Sequence, residues 1–375
     1  MGHRYRDDFR WWFNFNLRNM FSNIPPLYYH DKDIFEKEKT KIFQNNWIFV
    51  CFKEDVSNVN DFVTKTIGGI PIVIQNLNGK VKAFMNVCSH RFSTLQTEPK
   101  GNRGLFCPYH GWAYDKEGIP NGIPKKPLFK EFTKDELCKL KLKEYSLECC
   151  GDMYFIHINE PKQSLKEYLG DFYNILENIT KGKSLLIDTN PITIKCNWKI
   201  VVENTLESYH VALVHENTFQ KLGAGGLDFK FSGDHSSWET NLNLSEDDPK
   251  LKKIHSNFNN RPFNIDGYTH FLISPNLLVS TSYGVSFNFS IIEPLSPDST
   301  SFISHVYLAE PNKIDSIFEM YKQSLIDFNR KVFDEDKVIC EEVQKGVVVT
   351  EQPGVLSLEE HRVHAFQENY IKQMK

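Results

Sequence analysis

The chain has 375 residues, of which 40% are apolar and 25% charged, a composition typical of a folded globular protein. Its net charge of −4 gives no reason to expect nucleic acid or an anionic membrane surface as the main partner. No run of about 18 consecutive apolar residues occurs, so no membrane span is predicted. The 8 cysteines are too sparse for a disulfide scaffold and no secretory leader is visible, which predicts a cytoplasmic protein.

Residues 1–45 are predicted to form a helical segment that packs on the C-terminal domain. The aromatic stretch 10–15 is expected to be an arm that packs on the protein itself rather than on a membrane surface. A helix is predicted over residues 31–46, because Asp31 can cap its first turn and apolar residues follow at helical spacing.

Residues 46–158 are predicted to form one small β domain. Asn78 and Gly79 separate two apolar runs and are a strong signal for a hairpin, because both residue types tolerate positive φ. Further short apolar and β-branched runs follow up to about residue 158. The clearest predicted strands are Trp47–Phe52, Phe62–Ile67, Pro71–Gln75 and Val81–Met85.

Residues 159–375 are predicted to form a second domain of mixed content. Hydrophobic periodicity assigns helices and strands along this part of the chain, and the stretch rich in Gly, Asn, Ser and Asp is assigned to loops. The predicted elements are helices over 162–187, a strand over Ile192–Val202, a helical stretch over Asn204–His215, loops over 222–267, strands from Tyr268 to Glu310 and a long amphipathic helix over 312–346.

Two short motifs in the first domain each offer one thiol and one imidazole. Cys88 and His90 form a C-x-H motif, and Cys107 and His110 form a C-x-x-H motif after the intervening residues 91–106. Two thiolates and two imidazoles can bind zinc, or a [2Fe–2S] cluster in which the cysteines take one iron and the histidines the other. The cluster is favoured, because each motif supplies one ligand to each iron, whereas zinc sites more often use pairs of cysteines.

A second set of candidate metal ligands lies in the second domain. His210 and His215 with one later carboxylate would make the facial triad of a non-haem iron(II) site, and Asp336 is the best candidate for the carboxylate. Glu207 is expected to share a helix face with His210. The spacing of five between the histidines predicts a bend between them or a helix end at His215. Two such histidines alone would more often be structural, but an electron-transfer cluster in the same chain requires an acceptor.

Together these motifs resemble the α-subunit type of the Rieske non-haem iron oxygenases, over roughly residues 30–370. The blocks C-S-H-R…C-P-Y-H-G-W and N-W-K…E-N-T-L-E-S-Y-H-V-A-L-V-H occur in the family's order. Glu207 stands where most members have Asp, and with the E-D-K-V-I-C-E-E-V-Q-K-G segment from Glu335 it resembles the choline and carnitine monooxygenase subgroup. Phe92 departs from the pattern, because many members have glycine at this position. The difference affects the loop and not the ligation of the cluster.

The resemblance implies an α+β fold class, with an antiparallel β-sandwich Rieske domain joined to a helix-grip (START-like) catalytic domain. It implies that Glu207 bridges His210 to the cluster ligand His110 of a neighbouring subunit in a homotrimer. Electrons are expected from a separate reductase or ferredoxin, since the sequence has no flavin or nicotinamide motif. The implied cluster ligands are Cys88, His90, Cys107 and His110, and the implied mononuclear Fe(II) ligands are His210, His215 and Asp336.

The implied function is that of the oxygenase component of a Rieske mono- or dioxygenase, which uses O₂ to hydroxylate or demethylate a small substrate. Similarity to the subgroup suggests a quaternary or methylated amine, and such a cation would need an aromatic cage. Alternatives are an aromatic or heterocyclic substrate, an electron carrier without the second iron, and a zinc-stabilised binding protein. The cage candidates are Tyr268, Phe271, Tyr283, Phe287 and Phe289, although their pattern favours core-facing strand residues over a cage.

Overall fold

The computed structural model describes residues 21–129, 131–243, 248–258 and 267–375, and every structural statement concerns these residues. Contacts divide the chain into two compact units: one is Lys37–Lys181, and the other joins Gly182–Lys375 to the segment that ends at Glu36. The predicted packing arm at residues 10–15 lies outside the described residues. The predicted division at 45/46 and 158/159 stays a prediction.

The first unit is built on a seven-stranded sheet with all pairs antiparallel, in the order β1-β9-β8-β4-β3-β2-β5, and on the small pair β6-β7. The predicted hairpin is confirmed, since Asn78 and Gly79 have φ of 56° and 86°. The strands are β1 (Ile48–Phe52), β2 (Asp61–Ile67), β3 (Ile70–Leu77), β4 (Lys80–Met85), β5 (Lys100–Asn102), β6 (Ala113–Tyr114), β7 (Pro120–Gly122), β8 (Glu144–Cys150) and β9 (Met153–His157).

The helices up to residue 182 are short. The predicted helix that starts after Asp31 is confirmed: the Asp31 carboxylate accepts from the backbone N–H of Ile34 at 2.8 Å, and after α1 the chain continues as a π-helix over Lys39–Phe43. These helices are α1 (Lys32–Glu38), α2 (Lys134–Lys139), α3 (Leu165–Leu169) and α4 (Phe172–Gly182).

The second unit is a seven-stranded antiparallel sheet, in the order β10-β16-β15-β14-β13-β12-β11, against which a long helix packs. The expected α+β class with antiparallel sheets is confirmed. None of the helices among the described residues is long and apolar enough to cross a membrane. The elements are β10 (Leu185–Ile194), α5 (Trp198–Thr205), α6 (Val211–Val214), β11 (Asp228–Ser232), β12 (His235–Thr240), α7 (Pro249–His255), β13 (Tyr268–Ile273), β14 (Leu277–Ser282), β15 (Ser286–Ser296), β16 (Ser299–Leu308), α8 (Ser316–Val349) and α9 (His361–Met374).

Two sequence predictions in this unit are wrong. The predicted strand over Ile192–Val202 ends at Ile194, and α5 follows, because the Asn197 side chain caps the helix by accepting from the Lys199 N–H at 3.1 Å. The predicted loops over 222–267 contain two paired strands, β11 and β12, and the helix α7. The strands from Tyr268 and the long C-terminal helix are confirmed.

A buried polar cluster joins the N-terminal segment to the second unit. The Tyr29 hydroxyl donates to Glu203 Oε1 at 2.7 Å, and the Gln367 amide donates to the same oxygen at 3.0 Å. The Lys199 ammonium lies 5.3 Å from the centre of the Tyr29 ring. Three segments far apart in sequence therefore meet on α5, directly before the turn that carries the candidate iron ligands.

Candidate metal centres

The two loops that carry the first set of ligands have the same backbone geometry. In the first loop the Cys88 N–H donates to the carbonyl of Ser93 at 2.8 Å, and the Phe92 N–H donates to the Cys88 carbonyl at 2.9 Å. The second loop repeats both bonds at the same offsets and the same distances from Cys107. This turn requires a positive φ four residues after each cysteine, and φ is 60° at Phe92 and 72° at Gly111.

The loops bring the four predicted cluster ligands together. The His90 and His110 rings lie 4.8 Å apart between centroids. Cys88 and Cys107 are buried, and the Cys88 sulfur lies 3.1 Å from the hydroxyl of Tyr114. Burial raises the pKa of the Cys88 thiol, and the neighbouring Cys107 raises it further. Two thiols this close in a protected site favour a bound cation that stabilises their thiolate forms.

The polar groups of this site fit a [2Fe–2S] cluster. Nδ1 of His90 is buried and has no hydrogen-bond partner among the described residues, which a metal bond would explain. Burial, with His110 and Arg91 nearby, lowers the pKa of His90, so the ring is neutral as a metal ligand must be. The Trp112 ring stacks on His90 with an interplanar angle of 3° and holds the imidazole in place.

The second site lies where α5 ends and the chain turns. His210 and His215 cap the two ends of the four-residue helix α6, so the predicted helix end at His215 is confirmed. Glu207 and His210 do not share a helix face as predicted, because α5 ends at Thr205. Their side chains meet nevertheless: one Glu207 oxygen contacts His210 Nδ1, and the other accepts from the His210 backbone N–H at 3.1 Å.

Three donor atoms converge at this site. His210, His215 and Asp336 each offer one ligand atom, all within 4.8 Å of one another. Asp336 Oδ1 lies 3.0 Å from His215 Nε2 and 3.6 Å from His210 Nε2. The helix α8 supplies Asp336, and the Asn204 amide, at the end of α5, donates to its Oδ1 at 2.8 Å.

Glu335 contacts this site and was not singled out from the sequence. Its Oε2 lies 2.8 Å from His215 Nδ1 and accepts from the Thr218 hydroxyl at 2.7 Å. Each histidine therefore has one carboxylate behind Nδ1, an arrangement that orients metal-bound imidazoles. The only sequence signal for Glu335 is its place next to the candidate ligand Asp336, and other acidic residues on the same helix offer a similar signal.

This donor set fits a ferrous ion. Two imidazole nitrogens and one carboxylate would hold such an ion as the facial triad of non-haem iron(II) sites does, with coordination positions left for O₂ and substrate. Burial would lower the pKa of His215, but the hydrogen bonds and negative charges of Asp336 and Glu335 outweigh it and raise the pKa. The surroundings thus favour positive charge at this place, and a divalent cation supplies it.

A cavity of about 540 Å³ opens beside the three donor atoms. Of the predicted cage residues, Tyr268, Tyr283 and Phe287 line it, whereas Phe271 and Phe289 are buried and are not among its lining residues. The aromatic walls also include Phe219, Trp238 and Phe328, which the sequence did not single out. Phe219 contacts the rings of Tyr268 and Phe328, and Trp238 contacts the ring of Tyr268.

Full charges are few on the described walls of the cavity. Glu207 and Asp336 are its only described carboxylates, and both belong to the metal site. Lys221 is the only described lysine or arginine on the walls. The cavity therefore suits a small organic molecule with a large apolar part.

Comparison with known proteins agrees with both sites. A model of the ring-hydroxylating alpha subunit catalytic domain matches residues 176–375, and a model of the Rieske [2Fe–2S] domain matches residues 46–133. The chain therefore belongs to the family of ring-hydroxylating alpha subunits of the Rieske non-haem iron oxygenases. A Rieske [2Fe–2S] cluster and a mononuclear iron are characteristic of this family.

Curated relatives include mono- and dioxygenases. The large oxygenase component of a naphthalene 1,2-dioxygenase system from Pseudomonas aeruginosa is 33% identical over 52% of this chain and 44% of that protein. Chloroplastic choline monooxygenase from Atriplex hortensis is 29% identical over 86% of this chain and 71% of that protein. The match to the first of these spans less than half of the relative's length.

Solved structures share the fold. The quaternary ammonium Rieske monooxygenase CntA in complex with L-carnitine superposes with a TM-score of 0.77 at 20% identity, over 95% of this chain and 96% of that chain. Naphthalene 1,2-dioxygenase from Rhodococcus sp. bound to indole gives a TM-score of 0.72 at 18% identity, over 94% of each chain. At these identities the likeness concerns the fold alone.

Proposed function

We propose that this chain is the oxygenase component of a multicomponent Rieske oxygenase that hydroxylates or demethylates a small substrate with O₂. Two imidazoles and the Asp336 carboxylate converge, and a further carboxylate contacts Nδ1 of each imidazole. This arrangement carries the proposal. The proposed ligands are Cys88, His90, Cys107 and His110 for the [2Fe–2S] cluster and His210, His215 and Asp336 for the iron.

When bound, the cluster and the ferrous ion supply the electrons and the O₂ activation needed to insert oxygen into a C–H bond. The chain's own residues prepare the site for this chemistry. Glu207 and Glu335 accept from the Nδ1–H groups of His210 and His215, so Nε2 of each ring has its lone pair available for the metal. The apolar walls of the cavity hold the substrate and limit the access of water to the open side of the site.

We further propose a homotrimer in which Glu207 also contacts His110 of a neighbouring copy. Large apolar side chains are exposed close to both metal sites, each within its own unit: Leu213 is 86% exposed beside His210, and Phe92 is 80% exposed beside the cluster loop. Exposed apolar groups of this size commonly mark protein–protein contacts. A carboxylate can accept from two imidazole N–H groups at once, which suits it to join two metal-bound histidines.

The electron donor in this proposal is a separate reductase or ferredoxin in the cytoplasm. The absence of a flavin or nicotinamide motif from these 375 residues supports a donor outside this chain. A relative whose name describes a large oxygenase component of a dioxygenase system supports this division of labour.

A methylated amine is the first candidate substrate. Phe219, Trp238 and Tyr268 line the cavity. The Phe219 and Trp238 rings are each inclined by 69° to the Tyr268 ring, with centroids 5.6 and 5.9 Å from its centroid. Such aromatic faces attract methylammonium groups. The similarity to choline monooxygenase along most of the chain supports the same candidate.

An aromatic or heterocyclic substrate is the second candidate. The observation in its favour is that the described walls offer no carboxylate outside the metal site to balance a cation. A neutral ring would be held by the same aromatic walls through stacking and edge contacts.

Metal analysis of anaerobically reconstituted protein tests the proposal. We expect about three irons and two sulfides per chain, and a rhombic EPR signal of a histidine-ligated cluster after dithionite. Asp336→Ala should remove about one iron and leave sulfide and the EPR signal unchanged, whereas Cys107→Ser should remove the cluster signal. Equal iron and sulfide in the wild type would instead indicate an electron carrier, and a colourless zinc protein would refute the proposal.

Oxygen uptake, measured with a reductase as the electron donor, then identifies the substrate class. Methylated amines and aromatic acids are supplied in parallel with a reductase that reduces the cluster. Uptake coupled to formaldehyde release supports N-demethylation, and uptake coupled to a hydroxylated ring supports the second candidate.

A further inference from the structure

A polar row crosses the sheet beneath the cavity. Register places Trp238 of β12, His270 of β13, Ser280 of β14 and Asn288 of β15 at directly paired positions. All four line the cavity. Neighbouring positions across a sheet point to the same face, so these side chains form one strip along the cavity wall. His270 is the only titratable side chain in this strip.

A buried arginine lies behind His270. Arg362, on α9, is 1% exposed. Its Nη1 lies 3.2 Å from His270 Nδ1, and its Nε donates to the Ser236 hydroxyl at 3.0 Å. Among the described residues no carboxylate pairs with Arg362. Burial lowers its pKa to about 9, which leaves it charged at neutral pH.

This contact determines where His270 carries its proton. A guanidinium has only donors, so Nδ1 of His270 must accept from Arg362. The imidazole is therefore neutral and has its one proton on Nε2, since an imidazolium would set two N–H groups against each other. Burial and the charge of Arg362 lower the pKa of His270 well below its usual value, in agreement with this tautomer.

The Nε2–H group of His270 is available to a ligand. It has no hydrogen-bond partner among the described residues, and the residue lines the cavity. The positive charge of Arg362 behind the ring strengthens Nε2–H as a donor and favours an oxygen with negative charge in front of it.

We propose that His270 selects substrates that present an acceptor oxygen, a carboxylate or an amide carbonyl, and that Arg362 is the positioning residue that fixes the donor. This inference deepens the proposed function and rests on it, because it takes the cavity as the substrate site.

The position of His270 relative to the triad sets the shape of such a substrate. A chain of ring contacts leads from His215 through Phe219 and Tyr268 to His270, with centroid distances of 5.9, 5.6 and 6.5 Å. A molecule bound by its oxygen at His270 therefore extends along this aromatic wall toward the triad. The reacting C–H bond belongs to the end of the molecule opposite to the acceptor oxygen.

Binding of matched probes to the reduced holoprotein, measured anaerobically by calorimetry, tests the inference without turnover. The probes are phenylacetate, phenylacetamide, ethylbenzene and benzyltrimethylammonium, which share a phenyl ring and differ in the polar group. We expect phenylacetate and phenylacetamide to bind ~10-fold or more tightly than ethylbenzene, as one hydrogen bond to a buried donor provides.

Two variants of His270 separate the donor from the packing. His270→Leu should abolish the preference for the oxygen-bearing probes and leave the affinity for ethylbenzene within ~3-fold. His270→Gln should retain the preference, because its carbonyl can accept from Arg362 while its amide N–H donates to the probe.

The positioning role of Arg362 has its own readout. Arg362→Met should lower the affinity ratio of phenylacetate to ethylbenzene ~10-fold, and Arg362→Lys should restore part of it. A merely structural role would weaken both probes equally and leave the ratio unchanged.

The inference is overturned by any of three results: phenylacetate fails to bind, His270→Leu weakens the binding of benzyltrimethylammonium as much as that of phenylacetate, or the preference for the oxygen-bearing probes survives in His270→Leu. Each preparation is first shown to have the cluster EPR signal and the excess of iron over sulfide. A failure in such protein concerns His270 alone, whereas loss of those signals concerns the proposed function.

Discussion

At the scale of single residues, the iron site depends on two carboxylates that are not themselves ligands. Glu207 and Glu335 perform the same local task, because each contacts Nδ1 of one histidine. They differ in their further partners: Glu335 accepts from Thr218, whereas Glu207 accepts from the His210 backbone N–H and, as we propose, from His110 of a neighbouring copy. Identical substitutions at the two positions can therefore separate orientation of a ligand from communication between the metal sites.

Glu207→Gln is expected to keep both metals and to lower turnover by at least ~10-fold. The Gln carbonyl still accepts from His210 Nδ1, but its NH₂ group cannot accept from a second imidazole N–H, so the bridge is lost. The same NH₂ group also cannot accept from the His210 backbone N–H, which the Glu207 carboxylate does. Oxygen uptake, with iron and sulfide contents measured on the same sample, checks this. Glu335→Gln is the matched control and should stay within ~3-fold of the wild type, because a single amide oxygen serves both of its partners. Equal effects at the two positions would remove the case for the bridge.

The ligands themselves could be predicted from the sequence, since their residue types and spacing define the chemistry. Glu335 could not be assigned so directly, because acidic residues are frequent on helices and only the folded position of His215 shows which one it needs. The Arg362–His270 contact was also beyond prediction, because the two residues are 92 positions apart and only the packing of α9 against the sheet joins them.

At the scale of elements, the hydrophobic pattern of the sequence predicts a helix or strand correctly where the folded protein buries the residues that the pattern marks as apolar. The strands β13 to β16 and the helix α8 follow their hydrophobic periods. The run Ile200-Val201-Val202 has the β-branched composition of a strand, yet all three residues are buried in the helix α5. The Asn197 cap and burial around Trp198 outweigh that intrinsic preference, which is weak relative to tertiary packing.

The paired cluster loops allow a test of backbone strain. Phe92 holds φ at 60°, where a side chain costs about 1 kcal/mol that glycine avoids. Phe92→Gly is therefore expected to be about 1 kcal/mol more stable than Phe92→Ala, since both lack the ring and only alanine keeps Cβ. Thermal unfolding of the holoprotein, followed by the visible absorbance of the cluster, measures the difference.

Gly111→Ala is the reciprocal change and should destabilise by about 1 kcal/mol or more. Its Cβ would be strained at a φ of 72° and would lie 3.2 Å from Cγ of Pro124. If Phe92→Gly and Phe92→Ala unfold at the same temperature, the positive φ carries no cost in this loop.

At the scale of the whole molecule, the proposed trimer predicts that one exposed residue controls assembly. Leu213 is 86% exposed on α6. Leu213→Glu should convert trimer to monomer without loss of iron, because a charge would be buried in an apolar interface without a partner. Size-exclusion chromatography with light scattering checks this. Val349→Glu, at the equally exposed end of α8, is the control and should remain trimeric. A trimeric Leu213→Glu protein would place the interface elsewhere.

The cluster that joins the N-terminal segment to α5 and α9 predicts a pH dependence of stability. Burial raises the pKa of Glu203 from 4.5 to about 7, against the opposing hydrogen bonds of Tyr29 and Gln367 and the charge of Lys199. Because the folded pKa is the higher one, the folded state binds more protons between pH 4.5 and 7. The contribution of Glu203 to stability is thus fully present below pH 4.5 and is lost as the pH rises to 7.

Glu203→Gln removes this titration while its carbonyl still accepts from Tyr29 and Gln367. Relative to the wild type, the variant should become more stable by about 1–3 kcal/mol as the pH is raised from 4.5 to 8, since each pKa unit is about 1.4 kcal/mol and partial solvation reduces the full value. The thermal midpoints of the two proteins at several pH values measure this. Glu342→Gln changes a solvent-exposed carboxylate on α8, and the difference between its thermal midpoint and that of the wild type should not change with pH. If the difference in thermal midpoint is independent of pH for Glu203→Gln as well, the Glu203 carboxylate is already ionised at pH 5. Its negative charge would then stabilise the buried polar cluster with Tyr29 and Gln367.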